Sequence, residues 1–301
     1  MWTWPRKMMH MEKITDWSTL WRELVEVKSR SRKRDMSAEP MADVWHARAR
    51  EFDEGIKRRW AKPDSSRALI LSQLDADSTV LDIGAGTGAW SAVLARRAKH
   101  VTAIEPSPAM IEIMRENLAG EGVTNVTIVQ GAWPDAPVEP HDFSLCSHAM
   151  YGCPDLSAFI ARMIACTRRM CFLILRAPTL DGVRAEAAQH IWGHPLDSPN
   201  FTVAYNILLQ MGIYANVLME DSGLWEPRTS ASLEDALSDM QRHFRLNENG
   251  EHDEYLMELL HRRLTWDASR EQYVWPREVR SALVYWTVDA NHPSESQETQ
   301  H

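Results

Sequence analysis

Four cysteines in 301 residues, Cys146, Cys153, Cys166 and Cys171, are too few and too clustered for a disulfide framework. A reducing compartment is expected for such a chain. Long apolar runs are missing as well. No stretch approaches the roughly 18 residues of a membrane helix, and Met1 to Glu12 lacks the continuous apolar segment of a secretory signal. The expectation is a cytoplasmic protein with no membrane partner. Basic charge is also short, with 33 Lys and Arg against 42 Asp and Glu and a net charge of -9. An acidic chain is repelled by a phosphate backbone, so no nucleic-acid partner is expected. The basic run Lys28, Arg30, Arg32, Lys33, Arg34 reads as the solvated end of a helix. Phe and Tyr are sparse at 6 each, whereas Trp reaches 13. Each Trp supplies a large flat face with one donor, useful in a core or along a pocket wall.

What is present is an ordered alternation. Residues 14–34 open with Thr15 or Asp16 as cap and place Leu20, Trp21, Leu24 and Val25 at helical spacing. A linker at 35–41 and a second helix over 42–60 follow. From residue 65 onward helices and short apolar strands alternate. Strands are expected at 79–83, 101–104, 126–130, 143–147 and 170–175, and helices at 66–74, 89–98, 108–118 and 156–166. This pattern predicts an α/β fold, a doubly wound and mostly parallel seven-stranded sheet of the Rossmann-like kind. The C-terminal third predicts a helix at 203–211, strands at 215–219 and 281–288, and a mainly helical stretch between them. The resulting division is 1–60 as N-terminal cap or lid helices, 61–225 with 281–290 as the core, 226–280 as a helical insertion, and 291–301 as a disordered tail. The insertion serves either as a cap or as the surface of a homodimer.

The densest chemical signal is Val80-Leu81-Asp82-Ile83-Gly84-Ala85-Gly86-Thr87-Gly88. An apolar strand runs into three glycines at alternate positions, where bare main chain turns sharply and admits a ligand. An Asp two residues ahead of the first Gly is awkward for a pyrophosphate and suits an ammonium or a sulfonium. The second element is Glu105, at the tip of the next strand and about 17 residues after Gly88. A carboxylate there can accept both hydroxyls of a ribose.

At these residues the chain resembles class I S-adenosylmethionine-dependent methyltransferases of the small-molecule type, over about residues 42–175. The resemblance implies S-adenosyl-L-methionine as cofactor and a small-molecule methyl acceptor. It assigns Asp82, Gly84, Gly86 and Gly88, with Ala85 in the same loop, to the methionine part of the cofactor and Glu105 to its ribose. Pro106 and Met110 then pack on ribose and adenine, and Ser147 lies where the fourth strand passes beneath the cofactor. Many members carry Gly-Asp after the third strand; here Gly131-Ala132-Trp133 stands instead, so adenine is expected against the main chain at Ala132 and the face of Trp133. Trp45, Arg48 and Phe52 resemble the aromatic helix that closes over the cofactor, or else form one helix face packed on the sheet.

His148 and Tyr151 follow the fourth strand, where open α/β sheets bind substrates. His148 is the candidate general base for a hydroxyl or amine acceptor, with Tyr151 beside it; the plain alternative is a strand-end His bonded to main chain. Cys146, His148 and Cys153 do not have the paired spacing of a metal site, and no metal is expected. Trp192, Phe201 and Tyr205 belong either to the acceptor pocket's wall or to the core. The function expected is methyl transfer to a small organic acceptor beneath a cap made of the N-terminal helices and segments 180–200 and 225–280. Methylation of RNA or protein, and cofactor binding without transfer, are the alternatives.

Overall fold

The computed structural model describes residues 15–34, 45, 48–220, 227–248 and 250–288. Helix α1 (Trp17–Arg34) is capped by Asp16, whose carboxylate accepts the Thr19 backbone N–H at 3.1 Å. Its apolar stripe Trp21, Leu24 and Val25 is buried. Helix α2 begins at Ala49 and ends at Trp60. The expected residues 42–44 and 46–47 fall outside the described ones, and Trp45 sits in the turn that leads into it. Asp64 caps α3 (Ser65–Ser72) by accepting the Arg67 N–H.

The central unit then follows the predicted alternation. Its elements are β1 (Thr79–Ile83), α4 (Ala89–Ala95), β2 (His100–Glu105), α5 (Pro108–Gly120), β3 (Val126–Gln130), β4 (His141–Ser147), α6 (Leu156–Ala165) and β5 (Thr167–Pro178). Helices α7 (Val183–Trp192) and α8 (Phe201–Gln210) lead to β6 (Asn216–Glu220). Two short strands, β7 (Thr229–Ser230) and β8 (Thr265–Asp267), bracket α9 (Leu233–Phe244) and α10 (Asp253–Arg263). The chain continues through β9 (Gln272–Val274) into β10 (Val279–Thr287).

Seven strands form one sheet in the order β3-β2-β1-β4-β5-β10-β6. All neighbours are parallel except β10, which runs against both β5 and β6. The chain moves outward from β1 through β2 to β3, then returns to add β4 on the other side of β1. That reversal opens a crevice beyond the carboxyl ends of β1 and β4, the position at which doubly wound sheets bind ligands. Two cores cover the sheet's faces. One gathers Trp21, Ile160, Met163, Leu173 and Leu208 beneath α1, α6 and α8; the other gathers Ile70, Leu94, Phe143 and Phe172 beneath α3 and α4.

Two expectations are corrected. Residues 226–280 are not mainly helical, because β7, β9 and β8 form a separate three-stranded antiparallel sheet. The strands have two or three residues each, and pairing rather than length stabilises them. Helix α7 was not expected. Its Val183, Ala187 and Ala188 are buried with Met240, Phe244, Leu256 and Trp275 in a third core shared with α9 and α10. The tail at 291–301 lies outside the described residues. No helix among the described residues is long and apolar enough to cross a membrane.

Candidate functional site

At the end of β1 the backbone enters the left-handed region three times, at Gly84 (φ 70°), Gly86 (φ 58°) and Gly88 (φ 84°). The reasons differ. A Cβ on Gly84 would stand 2.2 Å from the Cβ of Ala149, and one on Gly88 would stand 2.5 Å from Met114 Cγ. These two glycines let neighbouring segments touch the loop. Gly86 faces open space, its nearest neighbour being the Phe52 ring at 3.8 Å from a built Cβ. Gly84 and Ala85 donate their N–H groups to the Ile104 carbonyl at 2.9 Å, pinning the loop to β2.

Two carboxyl groups face this loop. Glu105 Oε2 accepts the Gly86 N–H and Oε1 accepts the Ser107 N–H, both at 2.9 Å. A carboxylate of this kind accepts hydroxyls as well as backbone N–H groups. Asp82 is 1% exposed, and the Ser91 hydroxyl donates to its Oδ2 at 2.6 Å. Burial pushes its pKa up to about 7, with the Glu105 charge adding to the rise and the Ser91 bond opposing it. An acid in that condition is stabilised in its charged form by an arriving cation.

Above the loop lies a cavity of about 670 Å³, within the range of roughly 300–1,000 Å³ usual for ligand sites. Asp82, Gly84, Ala85, Gly86, Glu105 and Ser147 line its base. Pro106, Met110, Ala132 and Trp133 line one side. There the Trp133 indole N–H donates to the Phe159 carbonyl at 3.1 Å, and its ring meets Phe159 edge-on at 6.1 Å. The roof is α2, with Trp45 packed on Phe52 at 5.1 Å between ring centroids. Arg48 is exposed and does not line the cavity, and neither does Gly88, which acts at the α4 N-terminus. The roof is tied down by Asn117, whose amide donates to Asp53 Oδ1 on α2 and to the Thr87 carbonyl of the glycine loop, both at 2.9 Å. Arg50 adds an ion pair to Glu116 at 3.0 Å.

His148, the candidate general base, is held by two neighbours in series. The Arg176 backbone N–H donates to the Tyr151 hydroxyl at 2.5 Å, and that hydroxyl lies 3.1 Å from His148 Nδ1. With its oxygen accepting from Arg176, Tyr151 has its proton to give to Nδ1, so the network places the ring hydrogen on Nε2. Burial, then the charges of Arg59 and Arg176, lower the His148 pKa to about 3. The imidazole is therefore held neutral. Tyr151 does not line the cavity; it stands behind His148 and orients it.

Of the two readings open for Trp192, Phe201 and Tyr205, pocket wall or core, the structure has the core, and none of the three lines the cavity. Trp192 packs on Phe244 at 4.9 Å, Phe201 on Tyr205 at 5.5 Å, and the Tyr205 hydroxyl donates to the Ala215 carbonyl at 2.8 Å. Residues of α7, α9 and α10 in the expected cap segments 180–200 and 225–280 build the third core, and none of the described residues of those segments lines the cavity. Sequence reasoning missed Ile56, Arg59 and Trp60, and also Trp90 on α4, all of which line the cavity. A signal existed, since 52, 56, 59 and 60 fall on one helix face at i, i+4, i+7 and i+8.

The base and side suit a ligand with a cation near Asp82, vicinal hydroxyls at Glu105 and a flat ring between Met110 and Trp133. Comparison with known proteins points the same way. Residues 80–169 match the family profile described as a methyltransferase domain. An uncharacterized protein of Haemophilus influenzae is 25% identical over 253 residues, 81% of this chain and 89% of that one. Magnesium-protoporphyrin O-methyltransferase of Rhodobacter capsulatus is 31% identical over 105 residues. That match takes in 33% of this chain, which spans 47% of the enzyme's length. The solved magnesium protoporphyrin IX methyltransferase of Synechocystis, with S-adenosylhomocysteine bound, superposes at a TM-score of 0.45 and 13% identity, over 91% of this chain and 100% of that one.

Proposed function

We propose that this chain, which carries a class I S-adenosylmethionine-dependent methyltransferase domain, transfers the methyl group of S-adenosylmethionine to a small organic acceptor beneath α2. The observation that carries the reading is the roofed cavity over the glycine loop, with two buried acids at its base and an apolar aromatic wall beyond them. A macromolecular acceptor calls for an open track, and the net charge of -9 disfavours a nucleic acid.

When bound, the cofactor supplies a methyl group activated by a positive sulfur. Asp82 would hold its ammonium end, Glu105 its ribose hydroxyls, and Met110, Ala132 and Trp133 its adenine. Phe52 and Trp45 close the site from above and keep water away from the reacting atoms. The walls align the acceptor behind the methyl carbon, and for a displacement of this kind alignment supplies much of the rate.

The test is calorimetric titration of S-adenosylmethionine into the full chain, followed by turnover to S-adenosylhomocysteine with a deproteinised small-molecule extract. Binding in the micromolar range, about -8 kcal/mol, together with turnover that survives ribonuclease, supports the reading. Binding with turnover only on RNA or protein would overturn the small-molecule part.

A further inference from the structure

Residues 198–219 contain no Asp, Glu, Lys, Arg or His, in a chain where charged residues make up 25%. This stretch builds α8 and most of β6. Its inner side belongs to the core, with Val203, Ala204, Ile207 and Leu208 at most 1% exposed. Its outer side stays apolar as well. Leu209, Tyr214, Val217 and Met219 are all exposed, Tyr214 at 84%. They are four of the eight large exposed hydrophobics among the described residues, and the other four, Phe52, Leu180, Trp266 and Val279, are scattered along the chain. Apolar side chains scattered singly are ordinary on a surface, whereas a group gathered on one edge marks a contact.

Strand β6 ends the seven-stranded sheet and pairs with β10 from Asn216↔Tyr285 to Glu220↔Ser281 without a bulge. No described strand pairs with its other edge. Val217 lies opposite Val284, a member of the core beneath α8, and Leu218 lies opposite Leu283 in the other core. Strand alternation therefore puts Val217 and Met219 on the α8 face. Exposed edges are usually guarded by a charge, a proline or a bulge. Asn216 to Met219 has none of these. The one acid of the strand, Glu220, is turned to α3, where its carboxylate accepts the Ser65 N–H at 2.8 Å.

We infer that this edge pairs with the same edge of a second copy, giving a two-fold dimer whose sheet runs through both chains. Three features select that occupant. A strand edge offers backbone N–H and C=O groups in series, which another extended segment satisfies. Two identical strands paired antiparallel are related by a two-fold axis, so the β6 edge is complementary to itself. The chain carries a net charge of -9, so two copies repel wherever their acids face each other, and the uncharged stretch is where that repulsion is least. An anionic lipid surface, by contrast, is held by Lys and Arg beside the apolar residues, and 198–219 has neither. In the dimer Val217 and Met219 of the two strands meet across the axis on one face, with Leu209 and Tyr214 beside them. No residue of 198–219 lines the cavity, so the contact stands apart from the transfer site and does not depend on the acceptor.

The experiment is sedimentation equilibrium of the full chain from about 1 to about 100 μM. The wild type is expected at twice the mass of one chain. Val217→Lys combined with Met219→Lys brings like charges together across the axis and should raise the dimer Kd at least about tenfold. Val217→Glu with Met219→Glu should do the same, and an equimolar mixture of the two double variants should recover the dimer. Tyr214→Glu, at the most exposed position, should also weaken it and keeps the test decisive if a strand variant fails to fold. Every variant should bind S-adenosylmethionine as the wild type does, which reports an intact fold. Amide exchange at 216–219 should slow as the wild-type concentration rises. A monomeric wild type throughout this range would overturn the proposal. A dimer that tolerates all three variants would overturn it too, by placing the contact elsewhere. Cosedimentation of a monomeric wild type with phosphatidylcholine vesicles, lost in the Lys variant, would assign the patch to a membrane instead.

Discussion

The Gly86 backbone N–H donates to Glu105 Oε2 at 2.9 Å, so the loop that forms the cavity's base is fastened to the carboxylate beside it. Glu105 therefore acts twice, on the loop and on whatever hydroxyls reach it. Glu105→Ala removes the acceptor of two backbone N–H groups. A hydrogen bond to a charged group contributes about 1.5–3 kcal/mol. Cofactor Kd by calorimetry should rise at least about tenfold, and the melting temperature of the free protein should fall with it. A melting temperature that falls while Kd stays put would leave Glu105 as a loop brace alone.

Asp82 predicts opposite effects on stability and on binding. Its pKa is raised from 3.8 to about 7, so between those values the folded state holds a proton that the unfolded state has lost. Folding stability then falls as pH rises from about 4 to about 7 and levels off above that, the whole effect being on the order of a few kcal/mol. Asp82→Asn should melt above the wild type at pH 8, with the difference shrinking towards pH 4. The same variant should bind S-adenosylmethionine more weakly at pH 8. Thermal melts across that range and calorimetry at its upper end check both signs.

Gly84→Ala should be among the most damaging single-methyl additions in this chain. The new Cβ lands 2.2 Å from Ala149 Cβ at a φ of 70°, so β1 or the segment after β4 must move. Destabilisation of about 2–4 kcal/mol is expected in urea unfolding. Gly120→Ala, at the end of α5 with nothing within 4 Å, should be neutral or slightly stabilising. Equal effects of the two would contradict the packing argument.

Asn117→Ala cuts three hydrogen bonds joining α2 and the glycine loop to α5: the two its amide donates to Asp53 and Thr87, and the one its oxygen accepts from Lys57. Global stability should drop by only about 1–3 kcal/mol, since the Arg50–Glu116 pair still ties α2 to α5. Amide exchange over 49–60 should speed up at least about tenfold, and cofactor should leave faster with little change in its association rate. Unchanged exchange in α2 would remove Asn117 as the roof's anchor.

The glycine loop, Glu105 and the strand alternation were legible because local rules dictate them. Apolar β-formers make β1, and left-handed turns ask for glycine. Arg59 was not legible as a wall residue, because helical spacing defines a face without saying what that face meets. The role of His148 was hidden for a different reason. Its tautomer depends on Tyr151, and Tyr151 depends on the backbone N–H of Arg176, 25 residues away in the chain. Helix α7 escaped because its burial of alanines comes from neighbours in α9 and α10, which no local pattern announces.

Strand β10 fills the gap between β5 and β6, pairing with β5 from Val279↔Pro178 to Thr287↔Met170. It leaves the ribosome about a hundred residues after β5, a delay of roughly 5–20 s at ordinary synthesis rates. Through that interval β5 presents a bare, apolar rim, Phe172 to Leu175, to the cell. A nascent chain in that state invites chaperones and is prone to stick to its own copies. Heterologous expression of this protein should therefore respond to slower synthesis or added chaperone more than to any change at the cavity.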